Sequence, residues 1–190
     1  MTRKITSTIL LLALSIVASG MPPAPIPRRS PEFAITEPSG KQVMLSSFKG
    51  KVVALEFFFL RSAKCLNLVN TMKKLNAELG PRGFQAVAIA FPAPGSDANA
   101  LLVGQLVDYL KPNYPVGYTT KERVDQYLER GETELLRIPQ VVVIDRDGMI
   151  RAQSGGRDGN AKLEDENYLR SVIDNLLTEG PRANGTHNSR

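Results

Sequence analysis

Few residues in this chain are equipped for covalent chemistry. Its 190 residues hold one cysteine, Cys65, one histidine, His187, and no tryptophan. A lone thiol cannot close an intramolecular disulfide, so no disulfide framework supports the fold. Zinc centres built from four cysteines, or from two cysteines and two histidines, are excluded within one chain. His187 stands in a polar C-terminal stretch, which argues against a Ser-His-Asp or Cys-His device. No metal site and no cofactor is expected. What remains is Cys65, with Ser62 ahead of it in Ser62-Ala63-Lys64-Cys65. Serine is a favoured helix N-cap, its oxygen accepting from N–H groups of the first turn. A thiolate in that turn, with Arg61 and Lys64 adjacent in sequence, gains from the helix dipole and from positive charge. Against this, Cys65 extends an apolar stripe, Cys65–Leu68–Met72–Leu75–Leu79, and burial raises a thiol pKa. An inert core cysteine and a reactive monothiol both stay open.

The elements that must position these residues follow from periodicity. Phe33–Ile35 and Gln42–Leu45 read as short strands around the turn Pro38-Ser39-Gly40-Lys41. Val52–Leu60 is an apolar run broken only by Glu56, as suits a strand buried on both faces. The Cys65–Leu79 stripe marks a helix that Gly80-Pro81 ends. Phe84–Phe91 is a second buried strand. A helix from Asp97 to Leu110 follows, with Asp97 as its expected cap. Pro115–Tyr118 reads as a short strand. Thr119 and Glu122 have capping-box spacing before a helix bearing Val124, Tyr127 and Leu128, which Gly131 is expected to close. Gln140–Asp145 and Met149–Gln153 form a hairpin around Asp147-Gly148. The last helix spans Lys162–Leu177. Glu56, by alternation, lies opposite Leu55 and Phe57, and is expected to face an edge or to be paired. The order predicts an α/β fold of three layers, a mixed central sheet with helices on both faces.

The ends of the chain read differently. Residues 1–20 combine basic Arg3 and Lys4, the apolar run Ile5–Ala18, and small Ala18 and Gly20 before Met21, a secretory signal pattern. The apolar run is shorter than the roughly 20 residues a spanning helix needs. No stable membrane span is expected beyond an uncleaved N-terminal anchor, and the location expected is secreted or periplasmic. Residues 21–31 contain five prolines and read as a linker. The domain is placed at 32–179, and a disordered tail at 180–190. Net charge is +5, from 24 basic and 19 acidic side chains. That charge is dispersed and forms no stripe with aromatics, so nucleic acid is not an expected partner.

Three segments in register resemble the TlpA/ResA-type thioredoxin-like proteins, which border on the redoxin and peroxiredoxin (AhpC/TSA) families. They are Val43–Val53 (VMLSSFKGKVV), Phe57–Cys65 (FFFLRSAKC) and Ile138–Gly148 (IPQVVVIDRDG). The resemblance covers about residues 32–178 and implies a thioredoxin-like fold. It also implies that Ser62 stands where the family has the attacking cysteine of Cys-x-x-Cys, and Cys65 at the resolving position. Pro139 is then the family's cis-proline, whose lack of an N–H leaves the backbone of Ile138 free to pair with a bound peptide. Two-cysteine exchange within this chain is chemically excluded, because a hydroxyl cannot cycle between thiol and disulfide.

Three functions follow as expectations. The first is a thiol-based redox protein acting through Cys65 alone on thiol- or disulfide-bearing protein or peptide. The second is a redox-inactive peptide-binding module using the groove beside Pro139. The third is a peroxidase, because Ser-x-x-Cys is similar to the peroxiredoxin element in which a hydroxyl binds peroxide and the cysteine becomes a sulfenic acid. Phe58 stands where that family has proline, Pro139 where it has arginine, and Arg137 is the nearest stand-in. In TlpA/ResA-like proteins an acidic residue near the motif serves as a proton relay, a role for which Glu56 is the candidate.

Overall fold

The computed structural model describes residues 25–131, 136–155 and 161–179. The leader expected over 1–20 and the tail expected over 180–190 lie outside the described residues.

Among the described residues, eight strands form one mixed sheet flanked by four helices. The strands are β1 (Arg28–Arg29), β2 (Ala34–Thr36), β3 (Gln42–Met44), β4 (Val52–Phe58), β5 (Phe84–Ala90), β6 (Val116–Tyr118), β7 (Gln140–Ile144) and β8 (Met149–Gln153). The helices are α1 (Ala63–Leu79), α2 (Ala100–Leu110), α3 (Lys121–Leu128) and α4 (Glu166–Thr178). Strand order is β1-β8-β7-β4-β5-β6-β2-β3. The β4-β5-β6 core is parallel, while β7 runs antiparallel to β4 and β8 to β7.

Alternation sorts the two faces. Val52, Ala54 and Phe58 of β4 join Ala86, Ala88 and Ala90 of β5 under α1, α2 and α4. The small alanines leave room for the Cys65–Leu79 face of α1. Val53, Leu55 and Phe57 point to the other side, against α3 and the packed rings of Phe33, Phe57 and Tyr127.

Several boundaries differ from those expected. The linker expected over 21–31 does not stay free of the domain. Arg28 and Arg29 pair with Ile150 and Met149 of β8. Arg28 is buried, and its Nη2 donates to the Tyr127 carbonyl at 3.2 Å and to Gln153 Oε1 at 3.0 Å. Its Nη1 lies 3.4 Å from a Glu129 carboxylate oxygen. Proline content signals an extended chain but does not forbid an edge strand. Helix α2 starts at Ala100, capped by Asn99, whose Oδ1 accepts from Leu102 N–H; the expected cap, Asp97, instead accepts from the Asn99 amide. The cap position of α3 is Thr120 rather than Thr119, without a side-chain capping bond. That helix closes at Glu129, at φ 53°, rather than at Gly131. Residues 161–164 form a 3₁₀ turn, and α4 begins only after Asp165, whose carboxylate accepts from Tyr168 N–H.

Candidate functional site

The end of β4 delivers the chain into α1 through Phe59, Leu60 and Arg61. Ser62 is the N-cap, at φ −94° and ψ 113°, and its Oγ accepts from Cys65 N–H at 3.4 Å. Its carbonyl also accepts from Leu66 N–H, and its N–H donates to the Phe59 carbonyl. The serine is therefore occupied by capping, as its type predicts.

Cys65 has 0% exposure and packs in the α1 face of the core. Burial pushes its thiol pKa up, outweighing hydrogen bonds from Ser62 and the Phe59 backbone. The Glu56 and Glu164 carboxyls push in the same upward direction. Lys64, expected to stabilise a thiolate, is ion-paired with Glu164. Burial is the largest influence on the thiol and sets the direction.

Glu56 is neither edge-facing nor paired, contrary to expectation. It sits in the middle of β4, directly across from Ala88 of β5 and Val141 of β7. It is fully buried, and neither carboxyl oxygen has a hydrogen-bond partner. Alternation puts it on the face of Ala54 and Phe58, the face that α1 and Cys65 cover. Burial raises its pKa well above the ordinary carboxyl value. Tyr114, on the same face, donates its hydroxyl to the Val69 carbonyl, and burial raises its pKa in turn.

Register brings the second expected segment alongside. Gln140 is paired with Phe57, so Ile138 and Pro139 flank the end of β4, where the chain leaves toward Ser62. The Ile138–Pro139 peptide bond is cis. Pro139 is buried, and half-buried Ile138 packs against both core clusters. Gln140 anchors the turn, its Nε2 donating to the Arg137 carbonyl at 2.5 Å. The Arg137 side chain is exposed. Among the described residues no hydrogen bond or ion pair joins it to Ser62 or Cys65. Ser154 braces the strand from the other side, its Oγ accepting from Val141 N–H at 2.7 Å.

This turn depends on Gly155. It holds φ +77°, and a Cβ there would lie 2.9 Å from Gln140 Oε1. Gly155→Ala is expected to destabilise the fold by about 1 kcal/mol or more, since alanine is strained at positive φ. Urea unfolding checks this; an unchanged midpoint would show that Gln140 is free to move aside.

Among the described residues no group of three histidine, cysteine or carboxylate side chains is placed to hold a metal. No described helix is long and apolar enough to cross a membrane. Sequence reasoning missed the layer that Glu56 faces and the open apolar flank of α2. The density of leucine and valine in α2 was a usable signal for the second.

Comparison with known proteins adds family context. The Redoxin family model matches residues 27–172. The thiol-disulfide oxidoreductase ResA of Bacillus thuringiensis subsp. konkukian is 25% identical over 148 residues, covering 77% of this chain and 78% of that protein. The crystal structure of a putative thiol:disulfide interchange protein DsbE from Chlorobium tepidum superposes with a TM-score of 0.64 at 23% identity, covering 80% of this chain and 96% of that one. The solution structure of a putative protein disulfide isomerase from Bacteroides thetaiotaomicron gives 0.62 at 25% identity, covering 83% and 95%. The fold is thioredoxin-like, and α/β in class.

Proposed function

The chain belongs to the Redoxin family, and from that premise we propose that it is an extracytoplasmic thioredoxin-like module that binds thiol- or disulfide-bearing polypeptide without completing exchange. The observation that carries this reading is the state of the two motif residues. The serine at the exchange position is engaged as a cap, and Cys65 has 0% exposure with its pKa raised. Neither is an available nucleophile. Cis Pro139 and Ile138 flank the end of β4, from which the chain runs on to Ser62, and this supports the reading. The leader pattern of residues 1–20 supports a location outside the cytoplasm.

Alkylation of the native protein tests this. Cys65 is expected to resist iodoacetamide from pH 6 to pH 9 and to react at once after denaturation. A native thiol that titrates well below the free value of about 8.5, with fast modification, contradicts the reading.

One observation favours the second reading, single-thiol chemistry at Cys65. The unpartnered Glu56 carboxyl shares its core face. In that reading Glu56, ionised once pH passes its raised pKa, takes the thiol proton, and the thiolate attacks a partner disulfide once, expelling one partner thiolate and leaving a mixed disulfide. Mass spectrometry after incubation with oxidised glutathione separates the two readings, because only the second gives a glutathione adduct on native protein.

A further inference from the structure

We infer that the apolar cleft between the β4–α1 connection and α2 docks an extended polypeptide segment presenting an apolar side chain beside an acidic one. The inference rests on the binding reading above and names the chemistry of its partner.

Helix α2 reads ALLVGQLVDYL, with Asp108 its only charged residue, yet only Val103 of it is buried. Tyr109 is 82% exposed. Leu102, Leu106 and Tyr109 follow at helical spacings of four and three and so form one stripe. That stripe lines a cleft of about 720 Å³ together with Phe59, Leu60, Arg61 and Ser62. The sheet order sets β5, which leads to α2, on one side of β4, and β7, with Pro139 before it, on the other. The cleft therefore flanks Ser62 on the side away from Pro139. Tyr109, left in water beside such a site, is of a residue type enriched among the anchors of partner chains.

Charge selects the occupant. Arg61 is exposed at the lip and, among the described residues, enters no ion pair, whereas neighbouring Lys64 is tied to Glu164. The first turn of α1 adds its own partial positive charge at the same end. Asp97, which also lines the cleft, accepts from the Asn99 amide at 2.5 Å. The Arg61 end thus favours a carboxylate, with the apolar wall adjoining it. Residues 1–24 and 180–190 present no acidic side chain, containing no aspartate or glutamate but including Arg3, Lys4, Arg182 and Arg190. A second copy would present the same cationic lip.

Two acetylated peptides, Gly-Ser-Leu-Glu-Phe-Gly and Gly-Ser-Leu-Lys-Phe-Gly, titrated into the ¹⁵N-labelled protein test the assignment. The glutamate peptide is expected to shift amide signals of Leu60–Ser62 and Leu102–Tyr109. The lysine peptide should bind about tenfold more weakly, and Arg61→Glu should reverse that order. Tyr109→Ser should weaken the glutamate peptide about tenfold; both variants change exposed side chains and leave the core intact. Equal binding of the two peptides overturns the inference. So do α2 signals that move with protein concentration alone, which would put a second copy in the cleft. Shifts confined to Ile138 and Gln140 overturn it while leaving the binding reading in place, and shifts at neither surface overturn both.

Discussion

Ser62→Cys is expected to convert a protein without disulfide reductase activity into one that has it. The introduced thiol would occupy the N-cap of the 17-residue helix α1, beside Arg61 and half-buried rather than enclosed. At such a position the helix N-terminus and a cation lower a thiol pKa, and a drop from about 8.5 to about 7 raises the thiolate fraction at neutral pH roughly fifteenfold. The chemistry then closes. The introduced thiolate attacks a substrate disulfide and expels one substrate thiolate. Cys65 attacks the resulting mixed disulfide and releases the second, leaving an internal disulfide that dithiothreitol reduces. Insulin turbidity with dithiothreitol should show the parent at background and the variant well above it. A variant that stays at background, with two thiols that never join, would mean that the first turn of α1 no longer has exchange geometry.

Glu56→Leu is expected to stabilise the protein. A carboxyl with no hydrogen-bond partner, between Ala88 and Val141 and under α1, has lost its hydration without replacement. Even the neutral acid costs about 1–3 kcal/mol at such a site. Replacement by leucine should raise the melting temperature by about 2–4 °C for each kcal/mol recovered. The pH dependence has a definite sign. Burial raises the folded-state pKa well above 4.5. Below the unfolded value both states hold the proton and Glu56 adds no pH dependence. As pH rises past it, the unfolded chain ionises while the folded one does not, so stability falls until the folded pKa is passed. Leucine removes this slope, so its advantage should be larger at pH 8 than at pH 4. Differential scanning calorimetry at the two pH values checks both claims. A leucine variant melting below the parent at pH 8 would mean that Glu56 has an internal partner.

Much of the site was legible from residue types. Serine before a helical stripe suggested a cap, whereas Cys65 in that stripe left an inert core cysteine and a reactive monothiol both open until the structure showed it buried. What the linear pattern could not say was which layer covers which face. Alternation ties Glu56 to Ala54 and Phe58, but only the packing of α1 reveals that Cys65 lies over the same side. Arg61 and Lys64 looked equivalent in sequence. Glu164, a distant residue in the turn before α4, neutralises one and leaves the other. The boundaries that moved did so for local reasons. Asn99 serves as cap where Asp97 was expected, and Glu129 takes the left-handed closing conformation ahead of Gly131. Proline density in 21–31 hid the pairing of Arg28, whose buried guanidinium finds acceptors on Tyr127 and Gln153.

The sheet ends in β1 and β3, strands of two and three residues. Pro27 and Pro31 bracket β1, and its Arg29 is exposed. Edges this short and interrupted offer little template for another strand. Among the described residues, crowded copies therefore meet no long row of unpaired amides along which to stack into fibrils.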